Sequence, residues 1–162
     1  MRIRVLQEHA RAVGLAHLAT HSTFDWERYL ESHILFHGER LTLARLLSDE
    51  SLDFRGARLF YLGSCESGLS ALEAGGDELQ GLVWALFLAG ARSVMATLWS
   101  VDDQAALHMS QRFYHHYVRR GLPLAQAYAQ AVRDLRAPRY AGEQAHNPYF
   151  WAPFVLYGDG WG

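Results

Sequence analysis

Four side chains in this sequence have the chemical types needed for covalent hydrolysis: His21, Cys65, Asp102 and Asp103. Each follows a short apolar run, with LAT before His21, YLG shortly before Cys65 and TLW shortly before the aspartate pair. A nearby imidazole lowers the pKa of a thiol and can later return the proton to a leaving amine. A cysteine and a histidine in contact need no third residue, and we expect His21 and Cys65 to form such a pair.

The segment GSCESG, residues 63–68, surrounds Cys65 with small residues. Small neighbours leave the sulfur accessible and let backbone N–H groups approach a developing oxyanion. We expect the N–H groups of Ser22 and Cys65 to be these donors. Cys65 is the only cysteine, which excludes an intrachain disulfide and a multi-cysteine zinc site. Its role is therefore either packing in the core or reactivity.

Apolar periodicity and turn residues divide the chain into alternating strands and helices, which is the pattern of an α/β domain with a mostly parallel sheet. Strands are predicted over residues 15–20, 59–63, 93–98 and 154–157, and helices over residues 3–12, 77–90, 103–120 and 124–135. Between the first two of these strands, His37 and Gly38 are predicted to turn a small hairpin. A short helix is expected to start near Thr42.

The predicted elements explain how distant residues would meet. In an open parallel sheet, reacting groups gather at the carboxyl ends of the strands, where the loops emerge along one edge. His21, Cys65 and the pair Asp102 and Asp103 each follow a predicted strand. If these strands are parallel and adjacent, the side chains share one rim of the sheet.

The composition excludes several classes of function. The chain of 162 residues has 15 cationic side chains, all of them arginine, against 17 anionic ones. A net charge of −2 argues against binding of nucleic acid as the main role. The chain lacks the apolar run of a membrane span or of a secretory signal, so we expect a cytoplasmic protein that does not bind membranes. The length suits a single domain over residues 1–162.

Four blocks of the sequence resemble successive parts of the CHAT domain, a family of the caspase-like peptidase group that also contains separases and gingipains. The blocks are HLATHS (17–22), GSCESG (63–68), GLVWALFLAGARSVMATLWSVDD (81–103) and NPYFWAPFVLYGD (147–159). They occur in the expected order and span most of the chain. The resemblance implies a caspase-like three-layer α/β/α fold and a cysteine endopeptidase that acts on proteins or peptides.

The resemblance also implies roles for individual residues. It carries the catalytic histidine of the family onto His21 and the catalytic cysteine onto Cys65, while His17 matches a recurrent position that is not catalytic. Separases share the LW-x-V-x-D stretch and use an acidic residue to bind arginine before the cleaved bond. That role falls on Asp103, with Asp102 in reserve. No metal or organic cofactor is implied.

The sequence departs from the family pattern in two ways. Ser22 stands where glycine usually follows the catalytic histidine, and we expect the extra Cβ to weaken activity. The family domain normally has further strands and a helix ahead of the histidine strand, whereas this sequence starts almost at that strand. We therefore expect an N-terminally truncated domain with one open sheet edge. Its missing strands would come from a partner chain or from a second copy. Family members commonly carry tetratricopeptide repeats or another helical sensor array, so the resemblance also implies a sensor domain as a partner.

Other interpretations of the sequence remain open. The leading one is a catalytically weak or inactive CHAT module that regulates or binds partners, and the last in rank is a serine hydrolase. Asp102 and Asp103 are explained equally well as helix caps, because helix N-termini favour aspartate whatever the function. Adjacent helical residues point in different directions, so His115 and His116 are not expected to chelate a metal, and a surface position is predicted for them.

Overall fold

The computed structural model describes residues 2–23, 25, 27–63, 77–138 and 142–161 of the chain. The strands are β1 Leu15–Leu18, β2 Ser22–Thr23, β3 His33–Phe36, β4 Glu39–Thr42, β5 Leu59–Leu62, β6 Ser93–Thr97 and β7 Phe154–Gly158. The helices are α1 Ile3–His9, α2 Leu43–Ser48, α3 Asp77–Leu88, α4 Asp103–Tyr114 and α5 Leu124–Leu135. A π-helical turn, His115–Arg119, continues α4, and short 3₁₀ turns lie at Tyr29–Glu31, Gly142–His146 and Pro148–Phe150.

The central sheet has four strands in the order β1-β5-β6-β7. β1, β5 and β6 are parallel, and β7 runs antiparallel to β6. His17 pairs with Tyr61 between β1 and β5, and Tyr61 pairs with Met95 between β5 and β6. The predicted parallel and adjacent arrangement of the three strands is therefore confirmed.

Helices cover both faces of this sheet. Along β5, Leu59 and Tyr61 pack on one side with side chains of α4 and α5, and Phe60 and Leu62 pack on the other side with side chains of α1, α2 and α3. All four residues are buried, as expected for a central strand whose successive side chains point to opposite faces. The three-layer α/β/α architecture expected from the sequence is confirmed.

A second, smaller sheet of order β2-β3-β4 comes after the end of β1. β3 and β4 form the predicted hairpin, which turns at His37 and at Gly38, where φ is +73°. The predicted start of the short helix is also confirmed, because the hydroxyl of Thr42 accepts a hydrogen bond from the amide of Arg45 at 3.2 Å. β2 was not predicted, since a strand of two residues carries no periodic pattern.

One prediction about the helices is wrong. His116 was expected at the surface but is buried, with 4% of its area exposed. The cause is Asp134 on the neighbouring helix α5, whose Oδ2 accepts hydrogen bonds from Nε2 of His116 at 2.8 Å and from Nε of Arg112 at 2.6 Å. The π-helical turn carries His116, and an acidic partner on another helix cannot be seen in the local pattern of α4.

None of the helices in the described part of the chain is both long and apolar enough to cross a lipid bilayer.

Candidate active site

His21 lies between the two sheets, three residues after the end of β1 and directly before β2. Its side chain is at the exposed surface. Its carbonyl oxygen accepts a hydrogen bond from the amide of Leu35 at 2.9 Å, and the hydroxyl of the preceding Thr20 donates to the carbonyl oxygen of Leu35 at 2.5 Å. Both backbone groups of Leu35 on β3 therefore fix the chain at His21.

Ser22 is buried in β2, where it pairs with Ile34 of β3. The bond from the Leu35 amide to His21 makes Ser22 and Ile34 a pair that lies between ladder hydrogen bonds. At such a position the backbone N–H points away from the partner strand. The N–H of Ser22 is therefore directed to the side of β2 opposite β3.

The backbone conformation at Ser22 shows whether serine is strained at a position where the family usually has glycine. Among the described residues, positive φ angles occur only at glycines, so Ser22 has an ordinary negative φ. Its side chain points into the interior rather than into the space above the sheet. The serine is accommodated without the left-handed conformation that would require glycine.

Cys65 lies outside the described residues, so its contact with His21 stays a prediction. The described chain reaches Gly63, which is buried at the end of β5. The amide of Gly63 donates to the carbonyl oxygen of Leu18 at 3.0 Å, which extends the pairing of β1 and β5 by one residue. The chain thus leaves β5 toward Cys65 at the same sheet edge where it leaves β1 toward His21.

The two aspartates have different positions at the start of α4. Asp102 is the N-cap, and its Oδ1 accepts hydrogen bonds from the amides of Gln104 at 3.0 Å and of Ala105 at 3.2 Å. Asp103 is the first helical residue and is exposed. The capping interpretation is therefore confirmed for Asp102, while the carboxylate of Asp103 remains accessible at the rim after β6.

An aromatic pair that the sequence reasoning did not single out holds the loop between β6 and α4. Trp99 stacks on Tyr149 with ring centroids 6.1 Å apart, and its Nε1 donates to the carbonyl oxygen of Tyr149 at 3.1 Å. The hydroxyl of Tyr149 donates in turn to the carbonyl oxygen of Ser100 at 3.2 Å. The segment before β7 thus supports the loop that leads to Asp103.

His17 and two tyrosines form a cluster beneath the rim, on the α4 side of the sheet. The imidazole of His17 stacks on Tyr61 at 4.2 Å with an interplanar angle of 5°, and Tyr114 lies 5.6 Å from the imidazole. Burial lowers the pKa of His17 and raises the pKa of Tyr61, and it raises the pKa of Tyr114 to about 12. The tyrosine hydroxyls are buried without a hydrogen-bond partner in the described part of the chain. The rings are therefore neutral at physiological pH.

A cleft of about 490 Å³ opens beside His17, between the end of β1 and the hairpin of β3 and β4. Thr20, Leu35 and His37 also line it. Across residues 2–23, 25, 27–63, 77–138 and 142–161, no three histidine or acidic side chains cluster in a way that could hold a metal ion.

Comparison with known proteins identifies one family. A family model described as the CHAT domain matches residues 2–159, which is nearly the whole chain. A search of curated proteins found no match. The family match agrees with the resemblance seen in the sequence blocks, and it spans β1, β5 and β6, the three strands that lead to the site residues.

Proposed function

The chain belongs to the CHAT domain family, which is part of the caspase-like peptidase group, and on that premise we propose that it is a cysteine endopeptidase. Cys65 is its nucleophile and His21 is the base. The substrate is a protein or peptide, in keeping with the protein substrates on which CHAT domains often act.

The main support for the proposal is the alignment of the ends of β1 and β5. The hydrogen bond from the amide of Gly63 to the carbonyl oxygen of Leu18 aligns the ends of two parallel, adjacent strands. His21 comes three residues after Leu18, and Cys65 comes two residues after Gly63. Two or three residues of chain cannot carry either side chain far from its strand end. The short separations therefore favour contact between His21 and Cys65 at this edge.

The reaction can be written from these roles. His21 takes the thiol proton, and the thiolate of Cys65 attacks the carbonyl carbon of the scissile peptide bond. The oxyanion that forms accepts hydrogen bonds from the backbone N–H groups of Ser22 and Cys65. His21 returns its proton to the leaving amine as the C–N bond breaks, which yields a thioester. Water, deprotonated by His21, then hydrolyses the thioester and restores the thiol.

The geometry of β2 supports the oxyanion role of Ser22. Its N–H points away from β3 because Ser22 lies between two ladder bonds, and its side chain is turned inward. The backbone next to His21 is held by Leu35, which limits movement of this donor. A fixed donor costs no reorganisation when charge develops in the transition state.

We propose arginine as the preferred residue before the cleaved bond, with Asp103 as its partner. Both aspartates are exposed at the rim, but Oδ1 of Asp102 already accepts two amide hydrogen bonds as the helix cap. A guanidinium pairs well with a carboxylate that is not used elsewhere in the described chain. This makes Asp103 the better candidate of the two.

The experiment combines thiol labelling with peptide cleavage. Cys65 is the only cysteine, so the rate of alkylation by iodoacetamide reports on this thiol alone. We expect alkylation to show a thiol pKa below the ordinary value near 8.5 and fluorogenic peptides ending in arginine to be cleaved by the unaltered chain only. Cys65→Ala should abolish cleavage, and His21→Ala should return the thiol pKa to its ordinary value.

Two results would contradict the proposal. Equal cleavage by the unaltered chain and by Cys65→Ala would exclude the cysteine mechanism. A thiol with an ordinary or raised pKa, together with no cleavage, would instead support a CHAT module that regulates or binds partners without catalysis.

A further inference from the structure

His17 contacts two tyrosines, one on the neighbouring strand β5 and one on helix α4. It lies in β1, directly opposite Tyr61 in the strand register, and the two rings are nearly parallel at 4.2 Å. Tyr114 of α4 lies at 5.6 Å from the same imidazole. His17 itself is exposed on β1, and its stack on the fully buried Tyr61 favours this orientation of the imidazole.

The imidazole of His17 lies next to the backbone of Gly63 at the end of β5. A Cβ atom placed on Gly63 would lie 3.0 Å from Nε2 of His17 and 3.7 Å from its Cδ2. The remaining close neighbour is the Cα of Ala19 at 3.7 Å, which is an ordinary van der Waals distance. A methyl group at position 63 would therefore press on the edge of the imidazole, and one of the two would have to shift by a few tenths of an ångström.

This contact lies close to the nucleophile along the chain, since Cys65 is two residues beyond Gly63. Gly63 is held from one side by its hydrogen bond to Leu18 and is covered on its α4 side by the imidazole. A shift of the backbone at Gly63 changes the direction in which the chain departs from the sheet edge. Displacements of about 1 Å near a reacting group cost on the order of 100-fold in rate.

We infer that His17 is a positioning residue: its imidazole, stacked on Tyr61, sets the path of the chain at Gly63 and so the placement of the nucleophile. The inference rests on the proposed function of Cys65. His17 exchanges no proton with the substrate in this role. Desolvation lowers the pKa of His17, which favours the neutral ring in this stack.

A double-mutant cycle tests the contact. The variants are His17→Ala, Gly63→Ala and the two together, with Gly14→Ala as the matched control, since a Cβ at Gly14 meets nothing within 4 Å. Gly63→Ala should lower kcat and the alkylation rate of Cys65 by about 10-fold or more, because the backbone at position 63 or the imidazole must shift to make room for the new methyl group. His17→Ala should lower kcat by a similar factor, and Gly14→Ala should change neither quantity beyond about 2-fold.

The variant that combines His17→Ala and Gly63→Ala shows whether the two residues act through their contact. Once the imidazole is gone, the methyl group at position 63 has space, so the combined variant should be no slower than His17→Ala alone. In all variants KM and the midpoint pH of the kcat/KM profile should stay as in the unaltered chain, because a positioning residue does not titrate in the reaction. Thermal unfolding midpoints confirm that each variant is folded at the assay temperature.

The outcomes separate this inference from the proposed function. Multiplicative losses in the double variant, or a shifted pH profile in His17→Ala, would overturn the positioning role while leaving a Cys65 peptidase intact. Absence of cleavage in the unaltered chain would overturn the proposed function. The alkylation rates would then still test the contact, and rates unaffected by Gly63→Ala would overturn the inference as well.

Discussion

The amide of Leu35 donates a hydrogen bond to the carbonyl oxygen of His21 at 2.9 Å, and this bond connects the proposed base to the middle strand of the small sheet. The hydroxyl of Thr20 donates to the carbonyl oxygen of the same Leu35. The hairpin that the chain forms between β1 and β5 thus holds the backbone of His21. The hairpin therefore fixes the backbone from which the imidazole of His21 extends.

Removal of this amide should impair catalysis as well as stability, because Leu35 lies in the middle strand of its sheet. Leu35→Pro lacks the donor, and we expect kcat/KM to fall by about 10-fold to 100-fold because His21 loses its backbone anchor. The side chain of Leu35 is 41% exposed, so Leu35→Ala keeps the hydrogen bond and removes little packing. It should stay within about 3-fold of the unaltered chain. Similar rates for the proline and alanine variants, measured below both unfolding midpoints, would show that the anchor is not needed.

Ser22→Gly should not restore a large amount of activity. The serine has a negative φ and a buried side chain, so glycine relieves no backbone strain there. We expect a change in kcat/KM of no more than about 2-fold and a loss of stability of about 0.5–1 kcal/mol from the added flexibility of the unfolded chain. Urea denaturation and peptide cleavage measure the two effects. A gain in activity of about 10-fold or more would mean that the Cβ obstructs the oxyanion site after all.

The two aspartates before α4 should respond differently to substitution. Asp102→Ala removes the N-cap and should cost about 1 kcal/mol in the free energy of unfolding, whereas Asp102→Asn keeps an acceptor and should cost much less. Asp103→Asn should leave stability nearly unchanged but should reduce cleavage after arginine relative to cleavage after uncharged residues. Competition between peptide substrates measures the preference. A preference that changes with Asp102→Asn and not with Asp103→Asn would reverse the assignment.

The pair His116 and Asp134 should make stability depend on acid pH. Burial alone would raise the pKa of Asp134, but hydrogen bonds from His116 and Arg112 outweigh it and leave the pKa below its ordinary value. The stabilisation is therefore complete above the unfolded-state pKa, which is about 4, and is lost as the pH falls through the lower folded-state pKa. Asp134→Asn should lower the free energy of unfolding by about 2 kcal/mol at neutral pH.

The pH dependence gives the control for this last prediction. Below a pH of about 4 the free energies of unfolding of Asp134→Asn and of the unaltered chain should become more similar, because the carboxyl of Asp134 takes up a proton in this range. Urea denaturation at several pH values measures this difference in the free energy of unfolding. A difference that stays constant down to about pH 2 would mean that the charge of Asp134 contributes nothing and that the variant is destabilised by packing alone.

The strands of the central sheet were predictable to within one or two residues because each is a short apolar run bounded by turn residues. β5 was predicted over residues 59–63 and forms over Leu59–Leu62. The hairpin at His37 and Gly38 was predictable from its turn residues. The pairing of β2 with β3 was not, because a hydrogen bond such as that between Leu35 and His21 joins residues far apart in sequence and leaves no local pattern.

The residues of the candidate site, too, were predictable where a local pattern marks them and not where a contact between distant elements does. Residue types and spacing were enough to select His21, Cys65 and the two aspartates, since nucleophiles, bases and caps are recognised by their chemistry and by the strand or helix beside them. They could not distinguish Asp102 from Asp103, and they left His17 without a role. Only the packing of β5 and α4 against β1 brings Tyr61 and Gly63 to the imidazole of His17.

The amino-acid sequence by itself determined the family, the order of the elements and the chemistry available at the sheet edge, because these depend on local periodicity and on residue type. The tertiary structure alone decided which residues lie against that edge, Leu35 behind His21 and His17 beside Gly63, and which acid buries His116, namely Asp134. Contacts of this kind join residues on different elements, and they exist only after the hydrophobic faces of the sheet and helices have packed together.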